Sequence, residues 1–241
     1  MKKYLLLTAA LFSFTTTFSQ SHFYLNFGYN LGYAKMGGLN YVVGRYNETR
    51  TWLTKPMGNF TFPNGFCASL GGSSRKLMYD ITWVGRHMTR NGGGVQPING
   101  MYGERELKWR MNSFNVGFGA ALGQTRKLRV NLGLSFDFGY ERVFTRVGEN
   151  GVFNPAEFEE IQKNLLVGSS IFVQIILSTE NLPGGIFIRP YVQFPYLKTD
   201  IYRVNEWINP TTYFNDPVDN DTYSWNTGVQ LAIGLFRRRS D

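Results

Sequence analysis

Only two of the 241 residues are imidazoles, His22 and His87, so acid–base chemistry near neutral pH has few places to start. His87 stands beside Thr89, and Glu104 or Glu106 could lie across the next strand, a partial set for a lipid hydrolase or acyltransferase in which a histidine activates a hydroxyl or water. The set lacks a His-x-Ser pair, and an exposed histidine at a strand end is the simpler reading. The single cysteine, Cys67, excludes an internal disulfide framework and a cysteine-built zinc site, and no residue near it in sequence would activate its thiol. Asp216, Asp219 and Asp221 could hold calcium only weakly, because they lack the glycine and closing glutamate of a dedicated loop. No metal or cofactor site is expected.

A larger charged group asks for a different explanation. Arg86, Lys108, Arg110, Asp137 and Glu141, with Asp80, Arg129 and Arg189 nearer the opposite end, fall on the polar faces of alternating segments and would converge in a closed interior. Charges in a narrow interior must pair or neutralise, so a structural ion-pair network is expected. The rival reading is a narrow gated pore in which the pairs exchange.

These residues must be positioned by strands, since the chain alternates with a period of two. Phe23 to Tyr33 places Phe, Leu, Phe, Tyr, Leu and Tyr at odd positions against Asn26, Gly28, Asn30 and Gly32. The clearest case sets Leu128, Val130, Leu132, Leu134, Phe136, Phe138 and Tyr140 against Arg129, Asn131, Gly133, Ser135, Asp137, Gly139 and Glu141. Similar patterns surround Leu70, Ile81, Val173, Ile188 and Leu231, and one more runs from Leu107 to Ala120 with an apparent phase change near Asn112 that suggests a β-bulge. Eight strands result. Three links are short (71–76, 123–127, 178–185) and four are long (35–64, 88–106, 145–162, 198–222).

An even number of amphipathic strands with alternating short and long links predicts an all-β fold. The expected form is an eight-stranded antiparallel transmembrane β-barrel with short periplasmic turns and long extracellular loops. A soluble sandwich or lipocalin-like barrel would point its apolar face inward instead. The small polar faces (Gly28, Gly117, Gly133, Gly228) fit a crowded lumen, and aromatics near strand ends (Tyr33, Trp83, Trp109, Tyr140, Tyr196, Tyr223, Trp225) fit interfacial girdles. A 16% aromatic and 17% charged composition agrees, as does a mean hydropathy of -0.23, which excludes a helical membrane protein.

Residues 1–19 read as a secretory signal: Lys2 and Lys3, an apolar stretch from Leu5 to Phe18 shorter than the ~20 residues of a spanning helix, and small residues Thr17 and Ser19 before a cut at Gln20. Removing it takes the formal charge from +8 to +6 and leaves residues 20–241 as one barrel domain. The basic balance is not a nucleic-acid signature. Arg75, Lys76, Arg126, Lys127, Arg237, Arg238 and Arg239 fall on the predicted periplasmic rim, where lipid headgroups or a periplasmic partner could meet them.

In this pattern, residues 22–237 resemble the small eight-stranded outer-membrane barrels of Gram-negative bacteria, the OmpA-transmembrane and OmpX type. The Ser-Gln cleavage context resembles exported proteins of the Bacteroidota. The chain departs from the family at its end, where Phe236 is followed by Arg237, Arg238, Arg239, Ser240 and Asp241. The resemblance implies outer-membrane residence.

The long loops are the expected seat of function. Tyr41, Tyr46, Trp52, Trp207, Tyr213 and Phe214 are candidate partner contacts, being residue types that dominate binding hot spots. The first loop is basic and the third and fourth are acidic, so they could also fold together and seal the mouth. Asn154 to Glu157 reads as a capped helix start on the rim. The reading that follows is a non-catalytic structural or interaction subunit of a larger surface, secretion or uptake complex. Its alternatives are a lipid-modifying enzyme using His87 and the gated pore.

Overall fold

A computed structural model describes residues 22–74, 76–125, 127–154, 157–178, 184–210 and 223–237. The predicted signal segment, Tyr213, Phe214, Asp216, Asp219, Asp221, Arg238 and Arg239 lie outside them, as do Pro155 and Ala156 of the predicted rim helix. The strands are β1 (His22–Lys35), β2 (Leu53–Lys55), β3 (Asn64–Ser73), β4 (Leu77–Val95), β5 (Tyr102–Gln124), β6 (Leu128–Glu149), β7 (Val152–Phe153), β8 (Glu159–Ser178), β9 (Gly184–Pro195) and β10 (Trp225–Arg237). Two helices interrupt them, α1 (Gly37–Glu48) and α2 (Tyr202–Ile208). No helix among the described residues is long and apolar enough to cross a membrane.

Eight strands close on themselves. β1 pairs β3, and antiparallel ladders continue through β4, β5, β6, β8, β9 and β10, which pairs back to β1. Closure removes both sheet edges, so the backbone groups of every ring strand find neighbours on two sides. The short β2 and β7 add to the upper ends of β4 and β6. Asn150 and Gly151, with φ of 50° and 81°, form the tight turn from β6 into β7.

The pleat decides which residues face in. On β1, Phe23, Leu25, Phe27, Leu31 and Tyr33 are exposed, while Tyr24, Asn26, Asn30 and Ala34 are buried inside. The apolar face therefore points outward, opposite to a lipocalin-like arrangement. Toward the long-link end this polarity inverts without any change of pleat. Outward residues of β5, read upward, are Phe118, Val116 and Phe114, then Arg110, Lys108 and Glu106; the inward ones are Gly117, Asn115 and Ser113, then the buried Met111, Trp109 and Leu107.

This corrects the predicted bulge at Asn112. The β4–β5 register runs unbroken from Leu77 opposite Ala120 to Val95 opposite Tyr102, and the irregularity of β5 against β6 falls at Ala121/Gly123. The apparent phase change is a change of surroundings on both faces of a continuous strand. Two predicted loops are shortened as well: 88–95 and 102–106 belong to β4 and β5, and 145–149 and 159–162 to β6 and β8.

Inside the upper ring lies a hydrophobic core that a loop reading misses. α1 carries Leu39, Val42, Val43 and Tyr46 at i, i+3, i+4 and i+7, a helical stripe buried against Met88, Leu107, Trp109, Met111 and Val143. α2 adds Val204 and Ile208. Two asparagines lash α1 to the returning chain: Asn40 exchanges two hydrogen bonds with the backbone of Phe60, and Asn47 does the same with Met57.

Candidate functional site

Below this helical lid the ring is filled by polar side chains. Among the described residues its buried charges are Arg86, Arg129 and Arg189 against Asp80, Asp137 and Glu141, three of each sign. Arg189 pairs directly with Asp80 and donates to the Thr82 hydroxyl at 3.0 Å. Tyr24 donates to the same Asp80 carboxylate, and Thr82 in turn donates to Ser69. Arg86 meets no carboxylate among the described residues; it donates to Tyr191 Oη at 3.0 Å and to Gln193 Oε1 at 3.2 Å. Gln193 then donates through Nε2 to Asp137 at 2.9 Å, so one amide joins cation to anion.

Asp137 also accepts from Ser135, Ser170 and Asn115. Arg129 ties the start of β6 to the β3–β4 turn through the Ser74 carbonyl, 2.6 Å away, and links onward through Asn131 and Gln174 to Tyr24. Tyr191 reaches Asn30 of β1 and Asn226 of β10. These side chains form two hydrogen-bonded groups, one around Asp80 and Arg189 and one around Arg86 and Asp137, which together draw on all eight ring strands. A void among Arg86, Asn115, Ser170, Arg189, Gln193 and Gln230 measures about 10 Å³, room for one water at most.

Glycines make room for the larger members. A Cβ on Gly133 would strike the Phe172 ring, which stacks under the Arg189 guanidinium at 4.3 Å. Gly133→Leu is expected to destabilise the ring by about 1–3 kcal/mol through overpacking, read as a lowered urea midpoint.

Not every predicted charge joins this network. Lys108 and Arg110 sit on the outer face, because the pleat of β5 continues through Asn112. Glu141 lies where the polar interior meets the lid and accepts from Thr199 at 2.9 Å. Among the network residues overlooked in the sequence are Tyr24, Tyr191, Gln174 and Gln193. Neutral and scattered along the chain, they carry no signal beyond their inward parity.

The lid closes over the network. Arg50 donates to the Ile208 carbonyl at 2.7 Å and to Asn209 Oδ1, and lies 4.1 Å over the Tyr46 ring. Asn209 in turn reaches the Val42 carbonyl. Tyr46 is only 3% exposed, so it is a lid residue rather than the partner contact predicted for it. Burial pushes its hydroxyl pKa above the ordinary value, with Arg105 and Arg50 pulling it partly back. Tyr41 and Trp52 are half-buried, whereas Trp207 is 49% exposed. Arg237 ends β10 in register with Phe23.

The catalytic alternative does not assemble. His87 is exposed on the outer face opposite Arg110, while Glu106 lies opposite Asn91 and Glu104 opposite Gly93, four and six residues further along β4. Both carboxylates are engaged elsewhere, Glu106 with Arg146 and Glu104 with Asn91. Among the described residues no group of three or more His, Cys, Asp or Glu converges as a metal site.

No family model matches the chain, and no characterised protein matches it in sequence. Among solved structures it is similar to Ail, the attachment invasion locus protein of Yersinia pestis, crystallised in complex with the heparin analogue sucrose octasulfate. The identity is 7%, the TM-score 0.42, and the match covers 90% of this chain and 99% of that one. It is also similar to Neisserial surface protein A, with 8% identity and a TM-score of 0.40 over 90% of this chain and 97% of that one.

Proposed function

We propose that the chain is an exported outer-membrane protein whose ring spans the bilayer as a sealed, non-catalytic barrel. Its helical lid would serve as the contact surface of a structural or interaction subunit in a larger surface, secretion or uptake complex. On this reading residues 1–19 are the signal and 20–241 the barrel. The observation that carries it is the pairing of an outward apolar face with a charge-balanced polar interior whose void beside Arg86 and Arg189 measures only about 10 Å³. Such a surface is costly in water and favourable in hydrocarbon, where a closed ring also satisfies every backbone group.

The test has two arms. In planar bilayers the purified protein is expected to show no steady conductance, and a reproducible open level would overturn the sealed reading. A photo-crosslinking side chain at Trp207, in cells, is expected to give one discrete adduct absent from the more accessible control at Ile98, which is 98% exposed on the β4–β5 tip. No adduct at 207, or the same adducts at both positions, would overturn the interaction role.

A further inference from the structure

One row of the outer face is basic from strand to strand. His87 of β4 stands opposite Arg110 of β5, Arg110 opposite Arg142 of β6, and Arg142 opposite Lys163 of β8. Facing residues on antiparallel strands bring their Cβ atoms to roughly 5 Å, and like charges placed so destabilise a sheet. The protein supplies little to offset this. Arg142 reaches Glu160 at 3.4 Å through Nη1 and leaves Nε without an acceptor. Lys163 lies over the Tyr140 ring at 4.1 Å, and no described residue pairs with Arg110.

What lies beneath the row bears on which anion would suit it. Two register steps toward the turns run Trp83, Phe114, Phe138 and Val167, with Phe114 and Phe138 stacked at 6.0 Å; the step between holds Gly85, Asn112, Tyr140 and Leu165. The outer face thus passes from apolar and aromatic to cationic over four residues on each of four adjacent strands. A soluble anion would have no use for the apolar floor. A molecule with hydrocarbon chains below and a doubly charged headgroup above fits both parts.

We propose that this row, Arg110, Arg142 and Lys163 with His87 at its edge, is a binding site for phosphomonoester-bearing lipids in the leaflet at the long-link end of the barrel. The phosphate oxygens lie between the facing side chains and relieve their repulsion, while the acyl chains lie along Trp83, Phe114, Phe138 and Leu165. The proposal rests on the membrane-spanning reading above.

The test reconstitutes the full chain in phosphatidylcholine vesicles and measures the motionally restricted fraction of spin-labelled phosphatidic acid against spin-labelled phosphatidylcholine. Flotation with neutral vesicles checks the membrane reading independently: a chain that stays in the dense fraction sinks that reading. For a chain that floats, phosphatidic acid is expected to associate about tenfold more strongly than phosphatidylcholine, the equivalent of about 1.4 kcal/mol. Arg110→Gln with Arg142→Gln and Lys163→Gln should abolish the preference, while Lys76→Gln with Lys127→Gln at the opposite rim should keep it. Equal association of the two lipids overturns the site, as does loss of preference only in the opposite-rim variant. Competition by millimolar inorganic phosphate would overturn the lipid assignment in favour of a free-phosphate site.

Discussion

Asp80→Ala is expected to lower the unfolding free energy of the vesicle-reconstituted protein by roughly 3–5 kcal/mol, because it strands the Arg189 guanidinium inside the ring without its carboxylate. Arg189 is 5% exposed and stacks on Phe172, so it cannot swing out to solvent without disturbing its neighbours. Tyr24 loses its acceptor in the same step, which adds the cost of an unmade buried hydrogen bond. The second half of the experiment separates pairing from mere packing. Asp80→Leu combined with Arg189→Leu should recover most of the loss, since replacing both members of a buried pair with apolar groups is often close to neutral. If Asp80→Ala leaves the urea midpoint unchanged, the network contributes to filling the lumen and little to holding it.

Val42→Asp should release the lid while leaving the ring folded. Val42 has no exposure and belongs to the apolar core shared by α1, α2 and the strands, so an ionised carboxylate there would be desolvated at a cost above about 3 kcal/mol. Undocking α1 is the cheaper outcome. The Arg50 contacts to Ile208 and Asn209 would part with it, exposing the Arg50–Thr51 bond to trypsin. Rapid cleavage there, with far-UV dichroism of the strands unchanged, is the expected result. Conductance should stay absent in this variant, because the buried hydrogen-bonded side chains below the lid stay in place across the lumen. A protease-resistant Val42→Asp protein would show that the lid is not an independent unit.

Much of the ring was legible from alternation alone. The outward set of β1 and the inward set of β6, including Asp137 and Glu141, follow directly from parity, and parity depends only on the pleat. The errors share one origin. An alternating reading tracks which face is apolar, and above Asn112 the apolar residues move to the other face while the strand continues. Trp109 and Leu107 therefore looked like a strand out of phase, and Lys108 and Arg110 were assigned to the interior they face away from.

The lid was hidden for a second reason. Its apolar stripe at 39, 42, 43 and 46 is helical, but Gly37, Gly38 and Gly44 make it a weak helix former that tertiary burial must stabilise. Nothing local in the sequence announces the surrounding wall. Arg50 and Asn209 are similarly unmarked, since their partners are carbonyls and amides more than 150 positions away.

The polarity inversion also bears on how the chain avoids mispairing. A one-residue slip of β5 against β4 exchanges the two faces of the strand along its whole length. In an ordinary amphipathic strand that mistake is punished once. Here it would put Asn115 and Ser113 toward hydrocarbon in the lower half and drive Arg110 and Lys108 against Val42 and Leu39 in the upper half, two penalties arising in different solvents. Each long strand is thus proofread at both ends, and a change of conditions that weakens one check, such as detergent in place of lipid, leaves the other in force.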